Sequence, residues 1–112
     1  LLGDKRAFGP GVAELLDGVR RHGSLQGAAR EMAMSYSKAW TIMRNAEAIW
    51  GFPLIRRYVG GKDGGRSVLT RQAEIILARY EQMDEALHAM ADRQFQQWFN
   101  DDELQKLQTM EG

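Results

Sequence analysis

Hydrophobic residues recur three and four positions apart near the start of the chain, as they do on one face of a helix. They predict a first helix over Pro10–His22, because proline suits the first helical position and Gly23 suits the position just after a helix. The short, mixed segment Leu1–Phe8 before it is compatible with an edge strand. The apolar positions of the first helix are Val12, Leu15, Leu16 and Val19.

Two more helices are predicted at close spacing after the first. Ser24 is the expected N-cap of a short second helix, whose small Ala28-Ala29 pair allows another helix to approach closely. After a brief break at Ala33-Met34, Ser35 is the expected N-cap of a third helix over Tyr36–Trp50. Two helices separated by about three residues are typical of a helix-turn-helix.

A hairpin and two further helices complete the predicted order. Leu54–Val59 and Arg66–Leu69 are predicted strands, and the glycine-rich segment 60–65 is the turn between them. No glycine or proline occurs between the second strand and Glu111, so this stretch is predicted to be helical. Thr70 is the expected cap of a long helix, and Asn100 is the expected cap of a last one.

The long helix carries an apolar seam. Five apolar side chains follow one another by four, three, four and three residues, which is the pattern of two heptads. The seam extends beyond what a domain of about 70 residues can cover, so we expect it to lie in a homodimer interface. Its residues are Ile76, Tyr80, Met83, Leu87 and Met90.

The faces of the third helix point to a function. At about 100° per residue, the apolar residues Ala39, Ile42, Met43, Ala46 and Trp50 share the inner side. The outer side holds hydroxyls, a cation and an amide, and its only nearby carboxylate is the marginal Glu47. Arg44 matches O6 and N7 of guanine, and Asn45 matches adenine if it turns inward. The outer residues are Ser37, Thr41, Arg44 and Ala48, flanked by Lys38, Trp40 and Asn45.

Charge is divided between the two parts of the chain. The formal net charge is zero, but residues 1–71 hold 12 Lys/Arg against 6 Asp/Glu, and residues 72–112 hold 3 against 9. The basic part suits contact with phosphates, and the acidic part stays clear of them. Ser24 and Ser35 are caps first, and the exposed N–H groups of their helices offer additional phosphate contacts.

Composition excludes several classes of function. Apolar residues make up 44% and charged residues 27% of the 112 residues, as in a soluble globular protein. There is no cysteine, and the only imidazoles are the distant His22 and His88, so nucleophile and metal sites lack parts. Lys62 is followed by Asp63, not by the Ser or Thr of a phosphate-binding NTPase loop. We expect a cytoplasmic protein that is not an enzyme and has no metal or cofactor.

Several short motifs stand in a fixed order between residues 8 and 70. They are Phe8-Gly9-Pro10-Gly11, Gly23-Ser24-Leu25-x-x-Ala28-Ala29, Met34-Ser35-Tyr36-Ser37-Lys38-Ala39-Trp40, Pro53-Leu54-Ile55, Gly60-Gly61-Lys62-x-Gly64-Gly65 and Leu69-Thr70. Together they resemble the N-terminal DNA-binding domain of the ModE-type molybdate-dependent regulators and, more distantly, LysR-type helix-turn-helix domains. The resemblance covers roughly residues 1–90.

The resemblance implies a winged helix that binds double-stranded DNA as a homodimer, with a recognition helix beginning at Ser35. It places dimerisation in the N-terminal strand and helix and in the long helix after the wing. From the residues alone, packing remains an equal alternative for Tyr36 and Trp40. The DNA contacts that the resemblance implies by position are Tyr36, Ser37, Lys38, Trp40, Thr41 and Arg44, and, in the wing, Lys62 and Arg66.

The chain also departs from that family. Regulators of the ModE type carry molybdate in separate β-rich domains, whereas the last 40 or so residues here are predicted to be helical and acidic. A molybdate-binding domain is therefore not implied for this chain.

We therefore predict a mainly α, winged helix-turn-helix protein with a small β-hairpin wing and a long C-terminal helical extension. Residues 1–70 are assigned to DNA binding and residues 71–112 to dimerisation. The expected function is a prokaryotic transcriptional regulator that binds a two-fold operator. The alternative is a winged-helix protein-interaction module that acts through its acidic helical tail.

Overall fold

The computed structural model describes residues 9–60 and 65–112. The predicted edge strand Leu1–Phe8 and the tip of the wing with Lys62 lie outside the described residues. The described part contains three helices, an antiparallel two-stranded hairpin and two further helices, which confirms the predicted winged-helix class. The elements are α1 (Pro10–His22), α2 (Leu25–Glu31), α3 (Tyr36–Trp50), β1 (Ile55–Tyr58), β2 (Arg66–Leu69), α4 (Arg71–Trp98) and α5 (Asp101–Thr109).

Side-chain caps start four of the helices, as the sequence predicts. The Oγ of Ser24 accepts a hydrogen bond from the N–H of Gly27 at 2.9 Å, and the Oγ of Ser35 accepts one from Lys38 at 3.1 Å. Thr70 and Asn100 accept equivalent bonds, each 3.0 Å long, at the starts of α4 and α5. Each such cap contributes about 1 kcal/mol, because it satisfies a backbone donor that the helix itself leaves unpaired.

Left-handed backbone conformations end α1 and α3 and also occur in the turn between α2 and α3. Gly23 has φ 72° after α1, and Gly51 has φ 86° after α3; glycine adopts both without steric cost. Ala33, between α2 and α3, has φ 55° and is the only non-glycine residue with a positive φ among the described residues. The turn of the helix-turn-helix is therefore made by an alanine in a conformation that disfavours a Cβ.

The core is formed where α1, α2 and α3 meet the start of α4. Its largest fully buried side chains are Leu15, Leu16, Val19, Met43, Leu54 and Leu77. The predicted close approach of the second helix is confirmed: Ala28 and Ala29 are buried, and a Cβ built on Gly18 of α1 would lie 2.6 Å from the Cβ of Ala28. Two small residues at this crossing let α1 and α2 pack almost backbone to backbone.

Main-chain hydrogen bonds attach the hairpin to the helices. In the hairpin, Ile55 pairs with Leu69 and Tyr58 with Arg66; β1 is thus one residue shorter at each end than predicted. The N–H of Ser67 donates to the carbonyl of Gly23 at 2.7 Å, which connects β2 to the turn between α1 and α2. The wing is held in place by the backbone as well as by side-chain packing.

The chain divides at Tyr80 and Glu81 into two compact units, which are described separately below. The first unit contains the winged helix, and its core includes Ala73 and Leu77 from the start of α4. The second unit contains the rest of α4 and all of α5. The assignment of separate functions to residues 1–70 and 71–112 stays a prediction.

Candidate nucleic-acid interface

The inner and outer faces of α3 are those that the sequence predicts. Ala39, Met43 and Ala46 are buried in the core, and Ile42 and Trp50 are half-buried. The residues assigned to the outer face are exposed. They are Ser37, Thr41, Arg44 and Ala48, together with the flanking Lys38 and Asn45.

One hydroxyl on the outer face is already engaged within the helix. The Oγ1 of Thr41 donates to the carbonyl of Ser37 at 3.1 Å. Because its proton is used, Thr41 presents only acceptor capacity in this conformation. Phosphate oxygens are themselves acceptors, so Thr41 suits an amino group on a base edge better than the backbone of DNA.

Three side chains form a ladder along one side of α3, at successive intervals of four residues. The rings of Tyr36 and Trp40 meet edge to face, with centroids 6.0 Å apart and an interplanar angle of 89°. The guanidinium carbon of Arg44 lies 5.0 Å from the centroid of the Trp40 ring. Trp40 is half-buried and packs against the core, so it provides a fixed surface beneath Arg44.

This ladder restricts the position of Arg44 before any ligand is present. A cation–π contact of an exposed arginine contributes about 0.5–1 kcal/mol. A side chain that is already ordered loses less conformational entropy when it binds. Trp40 therefore packs against the core and also positions Arg44, so packing and a role at the interface are not exclusive. Whether Trp40 or the 40% exposed Tyr36 touches DNA stays a prediction.

The carboxylate of Glu47, at the margin of the outer face of α3, has a structural role. The Oε2 of Glu47 accepts a hydrogen bond from the N–H of Leu54 at 2.8 Å. It thereby fixes the loop between α3 and β1, where Leu54 enters the core. The sequence shows that Glu47 lies near the outer face but does not reveal this partner.

The hairpin presents a second set of cations. The guanidinium of Arg66 lies over the ring of Tyr58 at 5.8 Å, so this predicted contact residue is also held by an aromatic ring. Alternation along the strands places Arg56 on the same face as Tyr58, while Arg57 points to the other face. Arg56 and Arg57 are both exposed. The predicted site does not include them, although two adjacent arginines in a predicted strand are a signal that the sequence shows.

Several other cations are paired within the protein. Arg20 and Arg21 donate to Asp17 at 2.7 and 2.9 Å, and Arg21 and His22 contact Glu31 across the α1–α2 junction at 2.9 and 2.7 Å. Hydrogen bonds from Arg20 and then Arg21 lower the pKa of the Asp17 carboxyl. Those from Arg21 and then His22 lower the pKa of Glu31, and in return Glu31 raises the pKa of Arg21.

The cations of α3 and the hairpin differ from this paired group. Within residues 9–60 and 65–112, no ion pair is formed by Lys38, Arg44, Arg56, Arg57 or Arg66. As far as the described carboxylates are concerned, these positive charges have no ion-pair partner and are available for phosphates or base edges. Ser24 and Ser35 use their side-chain oxygens as caps; a phosphate contact by either stays a prediction.

The residues of the predicted dimer seam differ in burial. In the first unit, Ile76 is half-buried, and Tyr80 is half-buried against the core of its own chain. In the second unit, Met83, Leu87 and Met90 are each more than half exposed. An interface through this seam stays a prediction.

Two other kinds of site, a metal centre and a membrane span, are absent from the residues that the structure describes. No group of three or more His, Cys, Asp or Glu side chains there is placed to hold a metal ion. None of the helices in residues 9–60 and 65–112 combines the length and apolar character that a bilayer span requires.

Comparison with curated proteins finds regulators and molybdenum-binding proteins. The chain is 32% identical over 87 residues to "Molybdenum-pterin-binding protein MopA" of Rhodobacter capsulatus, covering 74% of this chain and 33% of that protein. It is 33% identical over 87 residues to "Transcriptional regulator ModE" of Haemophilus influenzae, covering 74% and 34%. It is 31% identical over 72 residues to "DNA-binding transcriptional dual regulator ModE" of Escherichia coli K12, covering 64% and 28%.

The match therefore has a limited extent, since the chain spans about a third of the length of these relatives. A family model described as "Bacterial regulatory helix-turn-helix protein, lysR family" matches residues 13–74, which run from within α1 through β2 to the start of α4. Because that match covers more than half of the 112 residues, the chain belongs to the lysR family of bacterial regulatory helix-turn-helix proteins.

Proposed function

We propose that this chain binds double-stranded DNA with sequence preference and regulates transcription, with α3 as the recognition helix in the major groove. The observation that carries this proposal is Arg44, which is held over Trp40 on an exposed helix face. An arginine there can form two hydrogen bonds with O6 and N7 of guanine. Membership of a regulatory family and the names of the ModE relatives support the same role.

Phosphate contacts and base contacts have separate tasks in this proposal. Four exposed cations suit phosphate oxygens and form no ion pair with any carboxylate that the structure describes: Lys38, Arg56, Arg57 and Arg66. They supply salt-dependent affinity for any duplex, because each neutralised phosphate releases counterions. The groups on the outer face of α3 supply the preference for one sequence, because only base edges differ between sites.

The proposed active form is a homodimer that acts on DNA in the cytoplasm. Two copies related by a two-fold axis would place two recognition helices on half-sites about one turn of DNA apart. The exposed apolar side chains of Met83, Leu87 and Met90 favour such pairing, because a stripe of this kind gains free energy when a second copy covers it. This role is regulatory and requires no catalytic group.

The test starts with selection of the preferred site from random duplex DNA. Arg44→Ala is then compared with the unchanged chain on that site and on a scrambled duplex. We expect a loss of about 1–3 kcal/mol on the selected site, relaxed preference at one base pair per half-site, and a smaller loss on scrambled DNA. Arg93→Ala removes an exposed arginine from the second unit and is the matched control for charge.

The result that contradicts sequence reading by α3 is an equal loss on both duplexes for Arg44→Ala. A chain that selects no duplex, or whose binding does not weaken with added salt, would contradict DNA binding altogether. The predicted alternative, a module that binds only proteins, would then take its place.

A further inference from the structure

The second unit exposes aromatic and aliphatic side chains beyond the proposed dimer seam. Phe95, Trp98 and Phe99 are 58%, 63% and 52% exposed, although aromatic residues bury more apolar area than most when they are covered. The nearby helix α5 adds further exposed apolar residues. These are Leu104, Leu107 and Met110.

Part of this surface forms a groove at the junction of α4 and α5. The rings of Phe95 and Phe99 lie 5.2 Å apart, and the N–H of Phe99 donates to the carbonyl of Phe95 at 2.8 Å, so both rings project from one side of the helix. Leu104 forms the wall on α5. The groove has a volume of about 490 Å³, and its lining includes Phe95, Gln96, Phe99, Asn100, Asp101, Asp102 and Leu104.

The groove lies on a different side of α4 from the seam that we assign to dimerisation. At about 100° per residue, Phe95 lies about 80° around α4 from Leu87 and about 140° from Met90. Phe99, just beyond the end of α4, lies beside Phe95. A second copy that covers the seam therefore leaves the groove open. The groove needs an occupant of its own.

Charge identifies the chemistry of that occupant. Residues 81–112 hold eight Asp and Glu against two Lys and Arg, a net charge of −6. Asp101 and Asp102 line the groove, and no Lys or Arg does so. A second copy docked through this same groove would bring its own Asp101 and Asp102 against these carboxylates, whereas a basic segment would be attracted to them.

We propose that the groove between Phe95, Phe99 and Leu104 binds an amphipathic helix of a partner protein whose polar flank is rich in Lys or Arg. The apolar face of that helix lies on the two phenylalanine rings, as in other helix-in-groove complexes. Its cations lie against Asp101 and Asp102. The proposal is independent of DNA binding, because every residue of the groove lies in the second unit.

The test uses three synthetic peptides and calorimetry with the full chain. The probe contains leucines three and four residues apart with lysines elsewhere. One control peptide replaces each lysine by glutamate, and the other scrambles the order of the leucines and lysines. We expect the Leu/Lys probe to bind at least about tenfold more tightly than either control, because it alone matches both the apolar face and the charge.

Variants then locate the bound probe. Phe95→Ala/Phe99→Ala should weaken binding about tenfold or more, since it removes both rings. Asp101→Asn/Asp102→Asn should weaken it and reduce its salt dependence, whereas Asp84→Asn/Glu85→Gln removes the same charge elsewhere and should not. Leu87→Ala alters the seam and should also leave binding unchanged. Circular dichroism checks that each variant retains its helices.

Three outcomes would overturn the proposal. The first is equal binding of the three peptides to the unchanged chain, a result that requires no variant to fold. The second is unchanged affinity in Phe95→Ala/Phe99→Ala. The third is loss of self-association in that variant, because it would assign the groove to a second copy. DNA affinity should remain unchanged in Phe95→Ala/Phe99→Ala and in Asp101→Asn/Asp102→Asn, because neither variant alters α3, the wing or the seam.

Discussion

Substitution of Gly18 tests the close contact between α1 and α2 in the core. A Cβ at this position would lie 2.6 Å from the Cβ of Ala28 and 3.0 Å from its Cα, whereas ordinary contacts begin near 3.4 Å. The Cα belongs to the backbone, so α1 and α2 must move apart by somewhat under 1 Å. Overpacking of this kind costs about 1–3 kcal/mol, and the better helix propensity of alanine returns about 0.5–1 kcal/mol. Gly18→Ala should therefore destabilise the fold by up to about 2.5 kcal/mol.

Urea unfolding followed by circular dichroism measures this effect. The urea concentration at the midpoint should fall, without a change in how steeply the free energy of unfolding depends on urea. Each kcal/mol of lost stability should lower Tm by about 4–8 °C in a unit of this size. Gly11→Ala is the matched control, because it makes the same change in the same helix where, beyond the neighbouring helix backbone, no atom of the described residues lies within 4 Å of the added Cβ. It should leave stability unchanged or raise it by up to about 1 kcal/mol.

A double-mutant cycle separates the contact from helix propensity. Ala28→Gly removes one of the two clashing atoms, so it should cost less in the Gly18→Ala background than in the unchanged chain. If Gly18→Ala is as stable as Gly11→Ala, or if the cycle shows no coupling, the helices do not approach as closely as argued.

Three further substitutions test the dimer, the wing and the paired charges. Leu87→Asp should give monomers in sedimentation and weaken binding to an operator with two half-sites. Ala89→Asp, on another side of α4, should do neither. If the unchanged chain is itself monomeric at micromolar concentration, the proposed interface is refuted. Lys62→Ala should weaken binding to operator and scrambled DNA alike. It should also reduce the slope of log affinity against log salt concentration by about 0.9 per monomer. A loss of affinity on the operator alone would exclude a phosphate contact. The hydrogen bonds from Arg21 and His22 hold the pKa of Glu31 below its ordinary value of 4.5. The stability that these hydrogen bonds contribute is therefore fully present above pH 4.5, and it is lost as the pH falls through the lowered pKa of Glu31. An NMR titration should show the Glu31 midpoint below 4.5 and return it toward 4.5 in Arg21→Gln; an unshifted midpoint in the unchanged chain would show that the pair does not form in solution.

Local chemistry explains which parts of this fold the sequence predicts. The caps at Ser24 and Ser35 depend on a side chain and a backbone three residues away, so their signal is contained in a short segment. The faces of α3 follow from helical periodicity alone. Thus the order of elements and the exposed position of Arg44 are both accessible without coordinates.

Other features depend on residues that meet only after folding. The partner of Glu47 is a backbone N–H seven residues away, in a loop whose path is set by the entry of Leu54 into the core. The contact of Arg21 with Glu31 requires the particular crossing of α1 and α2 that Gly18 allows. The periodicity of the sequence does not predict such pairs, because the two partners come into contact only through the path of the folded chain.

The attachment of the hairpin determines which sequence changes the fold can accept. Its bonds from Ser67 to Gly23 and from Thr70 to Leu54 use only main-chain atoms. Side chains on the exposed face of the wing can therefore be exchanged without moving it, provided that Gly23 keeps its left-handed conformation. The side chains of the wing can thus vary while the position of the wing stays the same. A designer who retains Gly23 and the strand register can replace Arg56, Tyr58 and Arg66 as a set and graft a new contact surface onto an unchanged scaffold.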